Sequence, residues 1–334
     1  MQSLKDSAPA GAQSSHTLGS TMKQSRNGLE HLLLVVKGML MGAADAVPGV
    51  SGGTIAFITG IYEELIHSLR QFDLDALRLL FRRGPRAAWQ HVNGNFLLVL
   101  VSGILLSLLS LSHLVLYLLG AYPELLWAFF FGLIVASTWS LCRHIDAWRS
   151  SMLVSFATGA VLAYAVTQLA PSTLDATPVA FFFCGMVAIC AMILPGISGS
   201  FILLLLGMYT PVMTAVQQFQ FGNLGLFACG AIIGLLAFAR VLDWAFSHHR
   251  TTTLALLGGV LLGSLNKVWP WKYTTAYTIN GHGSEVPLAQ ENVLPDSYQM
   301  LTGQEPYLAG ALGLMLLGAA LVVLLDRYGR SGHS

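Results

Sequence analysis

Two short segments of the sequence carry the residues best suited to chemistry. Both contain the order Pro-Gly-x-Ser-Gly, once from Pro48 and once from Pro195, in strongly apolar surroundings. Proline ends a preceding helix and glycine permits a tight reversal, so each segment predicts a helix that breaks and restarts within one apolar region. The first amides of the restarted helix have no partner inside it and carry partial positive charge. With the nearby hydroxyls they favour an anion, and the candidate binding residues are Gly49, Ser51, Gly52, Gly53 and Thr54 in the first segment and Gly196, Ser198, Gly199 and Ser200 in the second.

Ionisable residues in apolar surroundings are the next candidates, because charge at membrane depth is costly and commonly functional. Lys37 precedes the first motif and is a candidate ligand for the same anion. Asp45 and Glu124 are candidates for carrying a coupling ion, a proton or sodium, while a structural pairing is the alternative for Lys37 and Asp45. The second motif has Met192 in place of Asp45, so a coupling role is asymmetric. A basic group near an expected helix end is a topology signal or a secondary anion contact, and it includes Arg240, His248 and His249.

The first motif also matches the Gly-x-Ser-x-Gly string that surrounds the nucleophile of many serine hydrolases. A hydrolase needs one serine with a base within hydrogen-bond reach, whereas this serine occurs twice, as Ser51 and Ser198. An intramembrane serine hydrolase or phosphatase is therefore the weaker alternative, and no catalytic residue is assigned. The four cysteines lack metal-ligand spacing, so neither a metal nor a cofactor is expected.

The composition decides which class of protein positions these residues. Of 334 residues, 54% are hydrophobic and 10% are charged, compared with about 25% charged in soluble domains. This excludes a soluble enzyme and indicates an all-α protein that crosses the membrane several times. The 17 basic and 16 acidic residues nearly balance, so the overall charge does not favour nucleic acid. The expected partners are membrane lipids and an anionic substrate.

The order of the apolar segments predicts two halves of similar architecture. Residues 176–239 contain no Asp, Glu, Lys, Arg or His; as one helix these 64 residues would be about 96 Å long, so they must turn back within the membrane. The predicted breaks are Pro195-Gly196 and the polar stretch 217–223. Segments 47–62 and 194–209 share seven of sixteen residues. Each half is predicted to hold a re-entrant helical hairpin and three transmembrane helices, which inserts the second copy upside down. The predicted parts are a disordered cytoplasmic tail (1–28), a first repeat with an interfacial helix (29–170), a second, inverted repeat (171–326) with an outer loop (267–306), and a cytoplasmic tail (327–334).

The distribution of basic residues predicts the orientation of the chain. If both Pro-Gly segments return to the side they came from, fourteen of the 17 lysines and arginines fall on one side, with both termini. Lys267 and Lys272 fall on the other side, and Lys37 lies within the membrane. Both termini are therefore expected in the cytoplasm.

Three segments together resemble one known family. They are KGMLMGAADAVPGVSGGTIAFITGIYEEL (37–65), MILPGISGSFILLLLGMY (192–209) and SHHRTTTLALLGGVLLGSLNKVWPW (247–271). Over about residues 30–326 the chain is similar to the bacterial polyprenyl-phosphate transporters of the PopT type. The resemblance implies a transporter, not an enzyme, in the bacterial cytoplasmic (inner) membrane. It implies that undecaprenyl phosphate is returned from the outer to the inner leaflet, which recycles the lipid carrier of cell-wall synthesis.

The residues and the implied substrate lead to one mechanistic hypothesis. The two hairpins and Lys37 hold the phosphate, the prenyl tail stays in lipid, and rocking of one repeat against the other exposes the site to each leaflet in turn. A small-anion channel or exchanger stays open as an alternative, because such proteins also use helix ends to bind anions.

Overall fold

The structure is a computed structural model that describes residues 26–47, 49–143, 145, 148–169, 174–279 and 285–331. Most of the predicted tail 1–28, as well as Pro48 and residues 332–334, lies outside the described residues. The described chain is mostly helical, with one two-stranded sheet. The predicted helical, multi-span class is confirmed; the small sheet was not predicted and lies in the expected outer loop.

The first half of the chain begins with a broken helix. α1 (Gly28–Asp45) is followed across a tight turn by the short α2 (Gly52–Ile58) and by α3 (Tyr62–Arg70). The remaining helices of this half are α4 (Leu74–Arg83), α5 (Pro85–His91), α6 (Gly94–Leu109), α7 (Leu111–Ala121), α8 (Pro123–Arg143) and α9 (Ser150–Gln168).

The second half begins with a similar broken helix. α10 (Pro178–Ile193) is followed by α11 (Gly199–Leu205) and α12 (Tyr209–Gln217), so both predicted breaks, at Pro195-Gly196 and at 217–223, are confirmed. The later elements are α13 (Phe221–Ser264), a 3-10 turn (Leu265–Val268), β1 (Lys272–Ile279), β2 (Glu285–Asn292), α14 (Pro295–Thr302) and α15 (Leu308–Ser331).

Four helical segments of the described chain are long and apolar enough to span a membrane, or up to six if each bent helix pair counts as one span. The four are Pro123–Arg143, Ser150–Gln168, Phe221–Val268 and Leu308–Leu325. The bent pairs are α5 with α6, at 73°, and α11 with α12, at 109°.

Two details differ from the expected three spans in each half. The expected span 96–122 is divided at Ser110, whose backbone is not helical (φ −124°, ψ −73°). The Ser110 hydroxyl donates to the Leu106 carbonyl at 2.6 Å, which replaces a helix bond with a local side-chain bond. The interval 240–250 lies between apolar runs that end at Ala239 and restart at Thr252, so a helix end and a loop are expected there. It is instead largely helical, and α13 passes through it with a break at His249 (φ −137°, ψ 46°).

Glycines allow two helix pairs to pack with their backbones in close approach. In the pair α1·α6, a Cβ atom on Gly103 would overlap the Val35 carbonyl oxygen. In the pair α10·α13, a Cβ atom on Gly230 would overlap the Phe182 carbonyl oxygen in the same way. Small residues at such contacts let helices associate closely in lipid, where no hydrophobic force drives them together.

A second type of glycine contact joins the two halves of the chain. Gly132 of α8 packs against the Met315 backbone of α15, at the other end of the sequence. Gly259 of α13 packs against the Phe156 backbone of α9. α15 of the second half therefore packs on α8 of the first half, and α9 of the first half packs on α13 of the second half. These contacts join the two halves into one body.

The α8 and α13 helices define two ends of this body. Ser140 and Leu141 of α8 and Arg250 of α13 line one large cavity, and we call this side the Arg250 end. Glu124, at the start of α8, accepts a hydrogen bond from Tyr298 of α14. We call that side, which includes β1 and β2, the β-hairpin end. At 1.5 Å per residue, Glu124 and Leu141 are about 25 Å apart along α8.

Candidate functional site: the junction of two broken helices

The turns that break the two hairpins have the same backbone geometry. Gly49 (φ +98°) and Gly196 (φ +91°) both adopt a conformation that L-residues with a side chain rarely take. Further on, Gly60 (φ +73°) and Gly207 (φ +69°) end α2 and α11 in matching left-handed turns. The helix of each half is therefore broken at the glycine that the sequence indicated, and we call each broken segment a hairpin from here on.

Ser51 links the first hairpin to the second. Its Oγ accepts the Gly53 amide at 3.1 Å, so that Ser51 caps α2, and it donates to the Met192 carbonyl at 2.8 Å. Met192 belongs to α10, 141 residues away in the sequence. The α2 N-terminus thus faces the carbonyl end of α10, and a Cβ atom on Gly53 would overlap the Ile193 carbonyl oxygen.

Thr54 makes the second bond between the hairpins. Its Oγ1 accepts the Gly196 amide at 2.8 Å. Both Ser51 and Thr54 are 0% exposed. In this conformation the two tips form a dry, hydrogen-bonded junction, which separates the two ends of the body at this point.

Asp45 takes the remaining donor at the start of α2. Its Oδ1 accepts the Gly52 amide at 2.7 Å, and Thr54 N donates to the Ser51 carbonyl. The sequence reasoning treated the amides of the first hairpin as open to a ligand. The structure differs because Asp45 and Ser51 supply acceptors within the hairpin itself.

The second hairpin has no such internal acceptors. Met192 stands where the first hairpin has Asp45, and the Ser198 side chain makes no cap bond but contacts the Ser200 hydroxyl at 2.8 Å. In the described chain the amides of Gly199 and Ser200 have no hydrogen-bond partner. Of the two predicted cradles, only the second one offers free donors in this conformation.

Lys37 lies apart from both cradles, at the Arg250 end. Its Nζ donates to the Thr59 carbonyl at 2.7 Å, at the C-terminus of α2. Eight residues separate it from Asp45 on α1, which corresponds to about 12 Å along the helix. Lys37 lines a cavity of about 1260 Å³, and the structure does not bring it together with the hairpin amides.

Ion pairs form the rim of this cavity. Arg26 Nη2 lies 2.5 Å from Glu64 Oε2, and Arg250 Nη2 lies 2.8 Å from Glu63 Oε1. Asn93 also donates to Glu64, at 3.0 Å. The arginines of the rim pair with carboxylates, whereas Lys37, which also lines the cavity, bonds to a main-chain carbonyl.

The other predicted residues are distributed over both ends. Glu124 is 3% exposed and contacts Tyr298, at the β-hairpin end. Arg240 donates to the Phe72 carbonyl at 3.3 Å, and His248 stacks on Trp244 with ring centroids 5.4 Å apart. His249 is the break in α13. Arg240, His248 and His249 thus lie away from the hairpin junction, and the structure does not unite them with it.

Sequence reasoning missed one residue at the junction. Lys267, expected in the outer loop, places its Nζ 4.4 Å from the centre of the Phe201 ring, at the start of α11. Its Cγ lies 3.1 Å from the position that a Cβ atom on Gly49 would occupy. A lysine directly after a long apolar helix and before two tryptophans was the available signal, but the contact with both hairpin tips depends on the tertiary fold.

Neither a nucleophile with a base nor a metal site is found at the junction. Within the described ranges, the Ser51 hydroxyl contacts only main-chain carbonyls and the Gly53 amide. The described residues also contain no group of three or more His, Cys, Asp or Glu side chains that would hold a metal ion. The arrangement is suited to binding an anion and not to nucleophilic catalysis.

Comparison with known proteins decides the family. A family model described as undecaprenyl phosphate translocase-like matches residues 41–286, which include both Pro-Gly turns and Lys267. The chain belongs to this family. It is 46% identical over 300 residues to a polyprenyl-phosphate transporter of Vibrio cholerae serotype O1, covering 90% of this chain and 97% of the relative.

A more distant relative of the translocase-like chain gives the same assignment. A polyprenyl-phosphate transporter of Staphylococcus aureus is 33% identical over 254 residues, covering 71% of this chain and 85% of the relative. No solved structure matches the chain. The resemblance drawn from the three sequence segments is confirmed, and the family consists of transporters, not enzymes.

Proposed function

We propose that the chain translocates undecaprenyl phosphate from the outer to the inner leaflet of the bacterial cytoplasmic membrane, by alternating access at the junction of the two hairpins. The observation that carries the mechanism is the pair of bonds from Ser51 to Met192 and from Gly196 to Thr54. These bonds close the body between the Lys37 cavity at one end and Lys267 at the other. A closed junction with a cation on each side is what one conformation of an alternating-access transporter requires.

The glycine contacts support the inverted repeat. Adding 147 to the α1 numbers and 127 to the α6 numbers converts the contact of Gly103 with Val35 into the contact of Gly230 with Phe182. The same 127 relates Gly132 to Gly259, and their partners Met315 and Phe156 lie on α15 and α9. Matching contacts within and between the halves are expected if the halves are two copies of one unit.

We assign the headgroup site to hydrogen-bond donors that lack a protein acceptor in this conformation or lose it when the hairpins separate. Among the described residues the amides of Gly199 and Ser200 have no partner and the hydroxyls of Ser198 and Ser200 bond to each other, so these groups are the first donors for a phosphate as the junction, where Ser198 is 4% exposed, opens. When the hairpins separate, the Ser51 hydroxyl and the Gly196 amide join them. Charge-assisted bonds to a phosphate compensate for the hairpin bonds that are lost, so ligand binding and opening of the junction are coupled. Gly49, Gly52, Gly53 and Thr54 complete the proposed lining, with Lys37 receiving the headgroup at the Arg250 end.

The prenyl tail needs no enclosed pathway. The described helices expose large apolar side chains around the body, among them Leu105 (54%), Val161 (66%) and Leu316 (72%). Such a surface is matched to lipid, where the tail stays while only the charged headgroup crosses. With the Arg250 end facing the cytoplasm and both termini there, the basic side chains follow the charge rule for membrane proteins.

Alanine variants in a leaflet-accessibility assay test the site. Purified protein is placed in liposomes that contain undecaprenyl phosphate, and the lipid remaining accessible to an external phosphatase is measured over time. Ser51→Ala, Ser198→Ala and Lys37→Ala are each expected to slow transfer about tenfold or more, because a hydrogen bond to a charged group contributes about 1.5–3 kcal/mol. Ser102→Ala is the matched control, since the exposed Ser102 hydroxyl bonds only to Val99 within its own helix. Wild-type rates in all three variants would remove the site assignment.

The same liposomes test the alternatives and the coupling. A small-anion channel or exchanger predicts flux of inorganic phosphate or chloride without the lipid, and a phosphatase predicts release of phosphate from it. If Asp45 or Glu124 carries a coupling proton, an imposed pH gradient changes the wild-type rate, and Asp45→Asn or Glu124→Gln abolishes that response. A sodium gradient tests the other candidate ion, and rates insensitive to both gradients would reject coupling through either residue.

A further inference from the structure

Two lysines converge at the β-hairpin end, above the hairpin junction. Lys267 Nζ lies over the Phe201 ring at 4.4 Å, and Lys272 Nζ lies over the Trp127 ring at 4.1 Å. Lys272 Nζ also donates to the Lys267 carbonyl, so the two residues are in direct contact. Neither side chain is fully exposed.

Neither lysine has an acidic partner in the part of the chain that the structure describes. This distinguishes them from Arg26, Arg70 and Arg250 at the other end, each of which pairs with a carboxylate. Burial, and next the positive charge of Lys267, hold the pKa of Lys272 well below its usual range. A second positive charge beside Lys267 is therefore unfavourable without a ligand, and a bound anion offsets the repulsion and favours the ammonium form of both lysines.

The loop that carries the lysines is fixed by its own hydrogen bonds. The indole of Trp269 donates to the Val293 carbonyl at 2.9 Å, and that of Trp271 donates to the Pro306 carbonyl at 2.9 Å. Asn292, paired with Lys272 in the sheet, donates to the Asn266 carbonyl at 2.8 Å. These bonds position the lysines in advance, and such preorganisation strengthens binding.

We propose that Lys267 and Lys272 form a docking site that takes the phosphate headgroup of the polyprenyl phosphate at the β-hairpin end, before it passes to the hairpin junction. This inference rests on the proposed function. A phosphate monoester carries about −1.5 to −2 charges at pH 7, which matches two ammonium groups. Trp127 and Phe201 are each 8% exposed and lie beneath the two lysines, so they hold the ammonium groups in place while the prenyl tail stays in lipid. Lys267 reaches the start of α11, so the headgroup moves from it to Ser198 and Ser200 without leaving polar contacts.

Methionine variants test the docking site, because methionine keeps the apolar stem over each ring and removes only the charge. Lys267→Met and Lys272→Met are compared with wild type in phosphatidylcholine nanodiscs. The probe is a short-chain polyprenyl phosphate, and the corresponding polyprenol, with the same tail and no phosphate, is the reference. Binding is followed by tryptophan fluorescence, which reports on Trp127 beneath Lys272.

The measured quantity is the preference for phosphate over alcohol. Each methionine variant is expected to lower it about 10- to 100-fold, since a charge-assisted bond contributes about 1.5–3 kcal/mol. Lys267→Arg and Lys272→Arg keep the charge and are expected to retain most of the preference. Arg78→Gln, which removes an exposed cation paired with Asp75, is the control and leaves it unchanged. Inorganic phosphate is added as competitor: strong competition identifies free phosphate as the ligand and overturns the lipid assignment, and weak competition supports the lipid.

Other outcomes overturn the inference or the proposed function separately. An unchanged preference in both methionine variants rejects the docking site, even if wild type translocates the lipid. If one variant fails to fold, the other variant and the arginine pair still decide. A wild-type protein that binds the phosphate through the lysines but moves no lipid in the leaflet assay contradicts the proposed function and leaves the docking site standing.

Discussion

The hydrogen bond from the Gly196 amide to Thr54 permits a sharp test of the hairpin junction. Thr54→Val preserves the shape of the side chain and removes the acceptor that this amide has among the described residues. Thr54 is 0% exposed, so the amide is left unpaired where no water reaches it. A buried donor without a partner costs about 1–3 kcal/mol. The free energy of unfolding should fall by that amount, which corresponds to a factor of roughly 5 to 150 in the unfolding equilibrium constant.

Thr138→Val is the matched control for this substitution. Thr138 is also buried, at 7% exposure, and its hydroxyl donates to the Ile134 carbonyl within α8 at 2.9 Å. That carbonyl belongs to the helix ladder, so losing the hydroxyl leaves no polar atom without a partner, and the expected change is within about 0.5 kcal/mol. Both variants are unfolded reversibly in mixed micelles with increasing denaturing detergent. If Thr54→Val loses no more stability than Thr138→Val, the two hairpins are not held together as described.

Three further predictions concern other contacts of the fold. Gly259→Leu should prevent stable folding or lower the unfolding temperature strongly, because its Cβ atom would overlap the Phe156 carbonyl. Gly313 has open space around it, so Gly313→Leu should fold normally. Equal unfolding temperatures of the two variants would contradict the packing. Asp243→Asn should lower the free energy of unfolding by about 1–3 kcal/mol. Asp243 is 7% exposed, and it accepts hydrogen bonds from Arg70 at 2.6 Å and His67 at 3.1 Å, which join α3 to α13. Denaturation of this variant is compared with that of Asp75→Asn, which changes an exposed carboxylate. Asp73 caps α4; partial burial raises its pKa, but the hydrogen bonds from Ala76 and His91 outweigh burial and leave the pKa below the ordinary value. The stabilisation by this carboxylate is therefore fully present above the unfolded pKa of about 4 and is lost as the pH falls through the lower folded pKa. The difference in unfolding free energy between wild type and Asp73→Ala should vanish in acid, and a difference that persists there would refute the cap.

Local rules of the chain were sufficient for the positions of the hairpins. Proline and glycine act on their own neighbours, so the reversals at Gly49 and Gly196 follow from two or three residues. The polar stretch 217–223 also ends a helix, and there the chain turns at Phe219, whose backbone is left-handed (φ 52°). The multi-span class followed from composition alone.

The partners of the hairpin residues depend on the tertiary fold and were not predicted. The bond of Ser51 with Met192 joins residues 141 positions apart. The cap that Asp45 places on Gly52 depends on how sharply the chain reverses, and that cap explains why the first hairpin offers no open amides here. The placement of Lys267 beside both tips depends on the path of α13 through the whole body.

The span boundaries show a different limit of sequence reasoning. An uninterrupted apolar run, 96–122, was read as one helix, yet a serine bond to the preceding turn divides it at Ser110. The opposite occurred at 240–250, where charged side chains suggested a loop but the helix continues to His249. Hydropathy reports where the chain meets lipid, and it does not report where the helix itself begins or ends.

The most direct test of the central claim is an experimental structure of the protein with undecaprenyl phosphate bound in nanodiscs. We expect phosphate density at the junction, between residues 48–54 and 195–201, or at Lys267 and Lys272 on the way to it, with the prenyl tail leaving sideways into lipid. Headgroup density confined to a surface remote from both, with the hairpins still closed by Ser51 and Thr54, would contradict it.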